Sequence, residues 1–175
     1  MATFLFLHIY CMQIKRYKNV VNSKDINKIN EILYSLIRFW RFQTSRTVDP
    51  ENQKPFLIGI LEISEINYLL GLFQPYIQDY LNEFPQKVKF ERAYLNAQFC
   101  YQPGDWHRDN LTGFTVLYYP DNGIDFGDEA GLEFKDHGVE KYISNSLIIF
   151  PANIAHRSLE HSKHDYRFSI AFKYL

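Results

Sequence analysis

The stretch Tyr166-Arg167-Phe168-Ser169-Ile170-Ala171-Phe172-Lys173-Tyr174 alternates without a break: its even positions are Tyr, Phe, Ile, Phe and Tyr, and its odd ones Arg, Ser, Ala and Lys. A period of two marks a β-strand with two distinct faces. One face offers rings to a core. The other carries one Arg followed by small residues, which suits a strand lining a ligand cavity. An edge strand with a solvated face gives the same pattern, so the segment alone leaves both readings open.

Outward from this strand, the second half of the chain keeps the same texture. Runs rich in Val, Ile, Phe and Tyr at 88–101, 113–119, 131–135, 146–150 and 153–158 read as further strands. Turn material separates them, at Gln102-Pro103-Gly104, Pro120-Asp121-Asn122-Gly123 and His161 to Asp165. The first half reads differently. After Asn22-Ser23, which can cap a helix, the apolar residues Ile26, Ile29, Leu33, Leu36, Ile37 and Trp40 fall three or four apart and predict an amphipathic helix. Phe56 to Ile63 is a short apolar run ending at Ser64, which can cap a second helix through Ile66, Leu69, Leu70 and Phe73. Pro75 breaks or kinks that helix, and Ile77 and Leu81 continue its apolar face. Helices first and six strands after predict an α+β protein built on an antiparallel barrel or sandwich.

A length of 175 residues without internal repeat, like-charge run or Pro/Gly/Ser-rich linker predicts one domain over 1–175, with helical support over about 22–84 and a core barrel over about 88–175. Aromatic residues make up 17% of the chain, which suits a β-rich body filled by rings. Nineteen Lys and Arg against 20 Asp and Glu leave a net charge of −1, so no global field recruits nucleic acid or an anionic membrane. Two cysteines, Cys11 and Cys100, are too few for a disulfide framework or a four-cysteine zinc site and read as isolated thiols of an intracellular protein. The opening Met1-Ala-Thr-Phe-Leu-Phe-Leu-His-Ile-Tyr-Cys-Met12 is too short for a membrane span, lacks a leader's basic start, and reads as an outer strand, with Met12 an alternative start. The expected location is cytoplasmic, and the richness in Lys, Asn, Ile, Tyr and Phe suits an AT-rich coding source, a virus or a bacterium.

Only one of the six histidines forms a His-x-Asp: His107-Arg108-Asp109. On extended chain, residues i and i+2 share a side, so this imidazole and carboxylate can bind one cation. The triplet alone is a weak signal. A second histidine from another strand would strengthen it, and His156 is the best placed, after the apolar run Leu147 to Phe150. Arg167, on the cavity face of the last strand, wants a carboxylate. No acid on the neighbouring odd positions offers itself, so a ligand acid is one partner; a surface ion pair with Asp165 or Glu160 is the alternative. His161 and His164 sit in an exposed-looking turn, a weaker metal cluster with His156. Trp106 and Arg108 flank the ligands and are either substrate contacts or ordinary surface. The acid-rich loop Asp121 to Glu129 is either a lid or a solvated hairpin loop.

His107-x-Asp109, then His156, then ten residues and Arg167, resembles the His-x-Asp/Glu, distal His and Arg/Lys signature of the Fe(II)- and 2-oxoglutarate-dependent oxygenases. The prolyl-4-hydroxylase-like branch is the most similar, through Phe99-Cys-Tyr101-Gln-Pro-Gly104-Asp-Trp-His107-Arg-Asp109, Val116-Leu-Tyr-Tyr119-Pro-Asp, Ala130-Gly-Leu-Glu-Phe134 and Asn145-Ser-Leu-Ile-Ile-Phe150. The likeness runs from about Val88 to Tyr174, with Ala130 replacing the first of two usual glycines. It implies a double-stranded β-helix, or jelly-roll barrel, with N-terminal helices packed on the outside. It also implies Fe(II) held by His107, Asp109 and His156, 2-oxoglutarate chelating the metal with its distal carboxylate on Arg167, O2 as co-reactant, and ascorbate as an accessory reductant. Tyr119 would donate a hydrogen bond to that carboxylate and Tyr101 would be a second tyrosine of the cofactor pocket; strand alternation favours Tyr119 over Tyr118 as the inward ring. The implied reaction is hydroxylation of an unactivated C–H, most typically of a prolyl residue in a peptide or protein, with release of succinate and CO2. A small molecule, free amino acid or nucleobase substrate is the alternative, as is a jelly-roll binding module without catalysis. Phe99 stands where base-repair members carry the Asn of an Asn-x-Tyr, which with the lack of a basic groove lowers the nucleobase option.

Overall fold

The computed structural model describes residues 14–35, 40–44 and 55–175. The expected strand over the first twelve residues therefore lies outside the described residues, as do Leu36 and Ile37. Ten strands and two helices follow in the order β1 (Lys15–Lys18), α1 (Ser23–Leu33), β2 (Trp40–Thr44), β3 (Pro55–Ile60), α2 (Ile63–Glu83), β4 (Phe90–Phe99), β5 (Phe114–Tyr119), β6 (Gly131–Phe134), β7 (Gly138–Lys141), β8 (Ser146–Pro151), β9 (His156–Ser158) and β10 (Tyr166–Tyr174). They form a seven-stranded sheet of order β1-β8-β5-β10-β4-β3-β2 and a three-stranded sheet of order β7-β6-β9. Every strand pair is antiparallel.

The alternating strand β10 is the middle of the large sheet, paired with β5 on one side and β4 on the other. Its ring face and its Arg/Lys face are both covered, so the edge-strand reading is excluded. Phe168, Ile170, Phe172 and Tyr174 join a core that also contains Ile29 and Leu33 of α1 and Leu69, Phe73, Ile77 and Tyr80 of α2. Ring contacts tie the layers: Phe73 meets Tyr118 at 4.8 Å and Phe172 at 5.6 Å, and Tyr80 meets Phe114 at 5.2 Å. The opposite face of the same sheet, with Leu117, Tyr119, Ile148, Phe150 and Ala171, packs against Leu132 and Phe134 of the small sheet. Alternation on β5 and β8 assigns successive residues to these two cores, which is the period-two rule with both sides buried.

Several local expectations need correction. Helix α1 is capped by Asn22, whose side chain accepts from the Asp25 amide, but it ends at Leu33, where the Tyr34 N–H bonds Asn30 O. Trp40, taken as the last apolar residue of that helix, opens β2 instead, with its ring 5.7 Å from Phe168. The cap of α2 is Glu62, not Ser64: Glu62 and Glu65 form a reciprocal capping box that satisfies two terminal amides. Pro75 does not end α2, because the buried stripe Leu69, Phe73, Ile77 and Tyr80 runs across it and burial outweighs the missing N–H. Strand β9 is shorter than the run 153–158, and β1 and β7 carry no period-two signal. Gly131 is obligatory where Ala130 is not: a Cβ there would lie 2.5 Å from Glu140 O across the β6–β7 pair. No helix of the described residues is long and apolar enough to cross a membrane.

Phe73 is fully buried and touches two of the sheet's helix-facing rings, Tyr118 and Phe172. Phe73→Ala should lower the unfolding free energy by about 3–5 kcal/mol, read by urea denaturation.

Candidate metal and acid-binding site

The small sheet is extended by one isolated antiparallel bridge between His107 and His156, with both N–H···O bonds made, at 3.0 and 2.9 Å. Backbone pairing therefore sets the two imidazoles side by side, with ring centroids 4.4 Å apart. Asp109 follows two residues later, anchored by its amide to Ala152 O at 2.9 Å. Nδ1 of His107 faces Asp105 O at 2.8 Å, and Nδ1 of His156 faces Ile154 O at 2.9 Å. A carbonyl can only accept, so each Nδ1 carries the proton and each Nε2 keeps a free lone pair. Those Nε2 atoms lie 3.8 Å (His107) and 3.7 Å (His156) from the Asp109 carboxylate, and the three ligand atoms fall within 4.8 Å of one another. Two neutral imidazoles and one carboxylate, all turned to one point, could hold a divalent cation.

Electrostatics keep His156 neutral and Asp109 charged. Burial pushes the His156 imidazole down to about 4, with the Asp109 charge opposing it. Burial alone would raise the Asp109 carboxyl, but the Lys173 ammonium, His156 and the Thr115 hydroxyl hold it well below the ordinary carboxylate range. Thr115 donates to Oδ2 at 2.5 Å, and the Lys173 ammonium pairs with the same oxygen.

Arg167 lies on the same face of β10, buried, in a cavity that also holds His107, Asp109 and His156. Its Nη2 donates to Gln98 Oε1, the side chain directly opposite on β4, and reaches Gly131 O at 3.4 Å. Its Nη1 is buried and has no hydrogen-bond partner among the described residues, and the buried Tyr119 hydroxyl has none among them either. Tyr119 does not itself line the cavity; it stacks on Tyr142 at 4.4 Å, and the Arg167 charge opposes the rise that burial imposes on its hydroxyl. An unpaired buried guanidinium edge with no acid beside it fits a ligand carboxylate. The residues present thus suit both a divalent metal and a small organic acid.

Tyr118 faces the other way, into the helix-side core, with its hydroxyl 3.5 Å from Asn145 Oδ1. Tyr101 sits at a turn with φ of 56°, is 69% exposed, and is not among the residues that line the cavity. The turn that follows β4 swings its ring outward. His161 joins no metal cluster among the described residues; its ring nitrogens face Lys163 O at 2.8 Å and Gln98 O at 3.1 Å. Arg108 donates to Asn153 O, and the half-exposed Trp106 carries Arg157 over its ring at 4.9 Å. In the loop after β5, Phe126 is buried against Tyr142 and His161, which pins the middle of the segment. Sequence reasoning gave no role to Lys173, Thr115 or Gln98. Lys173 shares the odd-numbered face of Arg167, so the alternation placed it inside, and a lysine placed inside calls for an acid.

No family model matches this chain, and no curated protein matches it in sequence. Solved structures do. A prolyl-4-hydroxylase of Pseudomonas putida superposes with a TM-score of 0.67 at 10% identity, over 92% of this chain and 91% of that one. A 2OG-Fe(II) oxygenase family oxidoreductase of Burkholderia pseudomallei gives 0.68 at 11% identity, over 92% and 84%. The fold is that of the 2-oxoglutarate/Fe(II) oxygenases. A third similar structure, a prolyl hydroxylase from Trichoplax adhaerens in complex with a hypoxia inducible factor peptide fragment, gives 0.66 at 17% identity, over 93% and 83%. The jelly roll of the oxygenases is therefore the architecture in which the His107, Asp109 and His156 cluster sits.

The pH response follows from the site's charges. Folded His156 takes up its proton near pH 4, whereas an unfolded histidine does so near 6.5, so the unfolded chain binds protons first as pH falls. The stability contributed by neutral His156 is complete above about pH 6.5 and is lost as pH drops toward 4; the depressed Asp109 carboxyl adds loss in the same direction below its ordinary range. Urea titrations of the metal-free chain should show stability falling by roughly 3 kcal/mol between these limits, with His156→Asn flattening the fall.

Proposed function

We propose that the chain is an Fe(II)- and 2-oxoglutarate-dependent dioxygenase that hydroxylates an unactivated C–H bond, most typically of a prolyl residue in a peptide or protein. The observation that carries this reading is the pairing, in one cavity, of a His/Asp/His cluster with a buried arginine edge that lacks a partner. A non-catalytic jelly-roll module has no need of either. His107, Asp109 and His156 would hold the metal, Arg167 the distal carboxylate of the cosubstrate, and the Tyr119 hydroxyl would complete that carboxylate's hydrogen bonding. Bound there, Fe(II) with 2-oxoglutarate and O2 supplies an oxidant for C–H hydroxylation while the cosubstrate is converted to succinate and CO2.

The chain's own residues do the positioning. The Nδ1 bonds to carbonyls orient both imidazoles before any ligand arrives, so each would offer Nε2 to a metal. Gln98 holds one edge of Arg167 in plane and leaves the other for the acid. Apolar walls from Leu117, Leu132 and Phe150 limit water around the cluster. Support for a prolyl substrate comes from the likeness to two prolyl hydroxylases, one of them with a peptide bound.

Anaerobic addition of Fe(II) and 2-oxoglutarate should produce a weak visible charge-transfer band, and Asp109→Ala should abolish both the band and cosubstrate turnover. A band of full strength in that variant overturns the metal assignment. Arg167→Met should keep metal binding but raise the 2-oxoglutarate needed for half-saturation about 10- to 100-fold, the equivalent of one charge-assisted bond. Proline-containing peptides and free amino acids, screened for a mass gain of one oxygen together with succinate release, separate the peptide reading from a small-molecule one.

A further inference from the structure

Among the described residues, Lys173 is the one cation in contact with the ligand cluster. It is 5% exposed, lies directly opposite Thr115 in the β10–β5 pairing, and donates to the Thr115 hydroxyl at 3.1 Å while its ammonium pairs with Asp109. Both the ammonium and the Thr115 hydroxyl meet Oδ2; Oδ1 is the oxygen nearer His107, 3.8 Å from its Nε2. Among the described residues Asp109 is also the only acid lining the cavity. Two buried opposite charges in contact must each be compensated, and removing one strands the other.

We propose that Lys173 is a positioning residue: a resident counter-cation that neutralises Asp109 in the metal-free protein, fixes its carboxylate through one oxygen, and thereby sets how tightly the site takes a divalent ion. The metal part of this rests on the function proposed above. Without a metal, the Lys173–Asp109 pair keeps the cluster neutral and the carboxylate oriented. A cation arriving at His107, His156 and Asp109 enters beside a positive charge, so Lys173 trades metal affinity for a site that is already formed. The sequence gives this its simplest cause: Lys173 and Arg167 occupy the same face of one strand, six residues apart, and a chain folding without metal needs a partner for Asp109 as much as it needs one for Lys173.

The test uses the full chain, stripped of metal by chelator, with Mn2+ as a probe that resists oxidation. Lys173→Met should lower the melting temperature of the metal-free protein by more than about 5 °C. Adding Asp109→Asn to it should restore at least half of that loss, because both charges are then gone; a lysine acting only through its hydrocarbon packing would show no such rescue. In calorimetry, Lys173→Met should bind Mn2+ about tenfold more tightly than the unaltered chain. No melting change in Lys173→Met, no rescue by Asp109→Asn, or weaker Mn2+ binding in Lys173→Met would each overturn the proposal. If Mn2+ binds neither chain, the metal reading of the site fails, and the counter-cation role is then decided by the melting experiments alone.

Discussion

The register of β10 between β4 and β5 is the constraint on which the rest of the molecule depends. From Ile170 to Tyr174 the strand is paired on both sides, and over its whole length it is paired with β4, so its side chains decide what each face of the sheet becomes. Here they divide cleanly. Rings and Ile weld the sheet to α1 and α2, while Arg167, Ser169, Ala171 and Lys173 look into the space between the sheets. The same register places Arg167 opposite Gln98 and Lys173 opposite Thr115, so each buried cation finds its first polar contact on the neighbouring strand. Small residues between the two cations keep the interior from filling.

The ligand cluster is built on different physics. His107 and His156 are brought together by a two-bond backbone bridge, and Asp109 by its amide on Ala152. Positions fixed by the main chain are more rigid than positions fixed by side-chain packing, which suits groups that must converge on one point. The backbone also supplies the Nδ1 acceptors. Two histidine tautomers are thus chosen by carbonyls, and the nearby carboxylate is left free for the cluster itself.

Much of this was legible in the residues, and the failures have physical causes. The alternation in 166–174 separated the two faces of the central strand but left open whether the Arg/Lys face met a cavity or solvent, because a polar face reads the same in either setting. Strand β7, with Val139 half-exposed and glutamate and lysine beside it, had no such signal. Trp40 continued the helical spacing of α1 by accident of composition, while its ring is spent on Phe168 in another element. Ser64 looked like a cap because serine usually is one; the reciprocal Glu62–Glu65 pair, one turn's reach apart, satisfied the same amides. Tyr101 matched a pattern in sequence order, but a left-handed turn sends its ring to solvent. Order along the chain says which residues are near one another and nothing of the direction in which a turn throws them. Lys173 was visible as a residue but not as a role, because its partner lies 64 positions upstream on another segment.

The two-faced strand also shapes how this protein can change. Every second residue of β10 belongs to packing and every second one to the cavity, with one strand's thickness between them. Substitution can therefore tune either set by itself, one side chain at a time. Insertion or deletion of a single residue between Arg167 and Lys173 cannot, since it would turn the rings on one side of it into the cavity and the cation on that side into the helix layer at one stroke. Variation in length is confined to the turns before and after, and the strand itself evolves only by replacement.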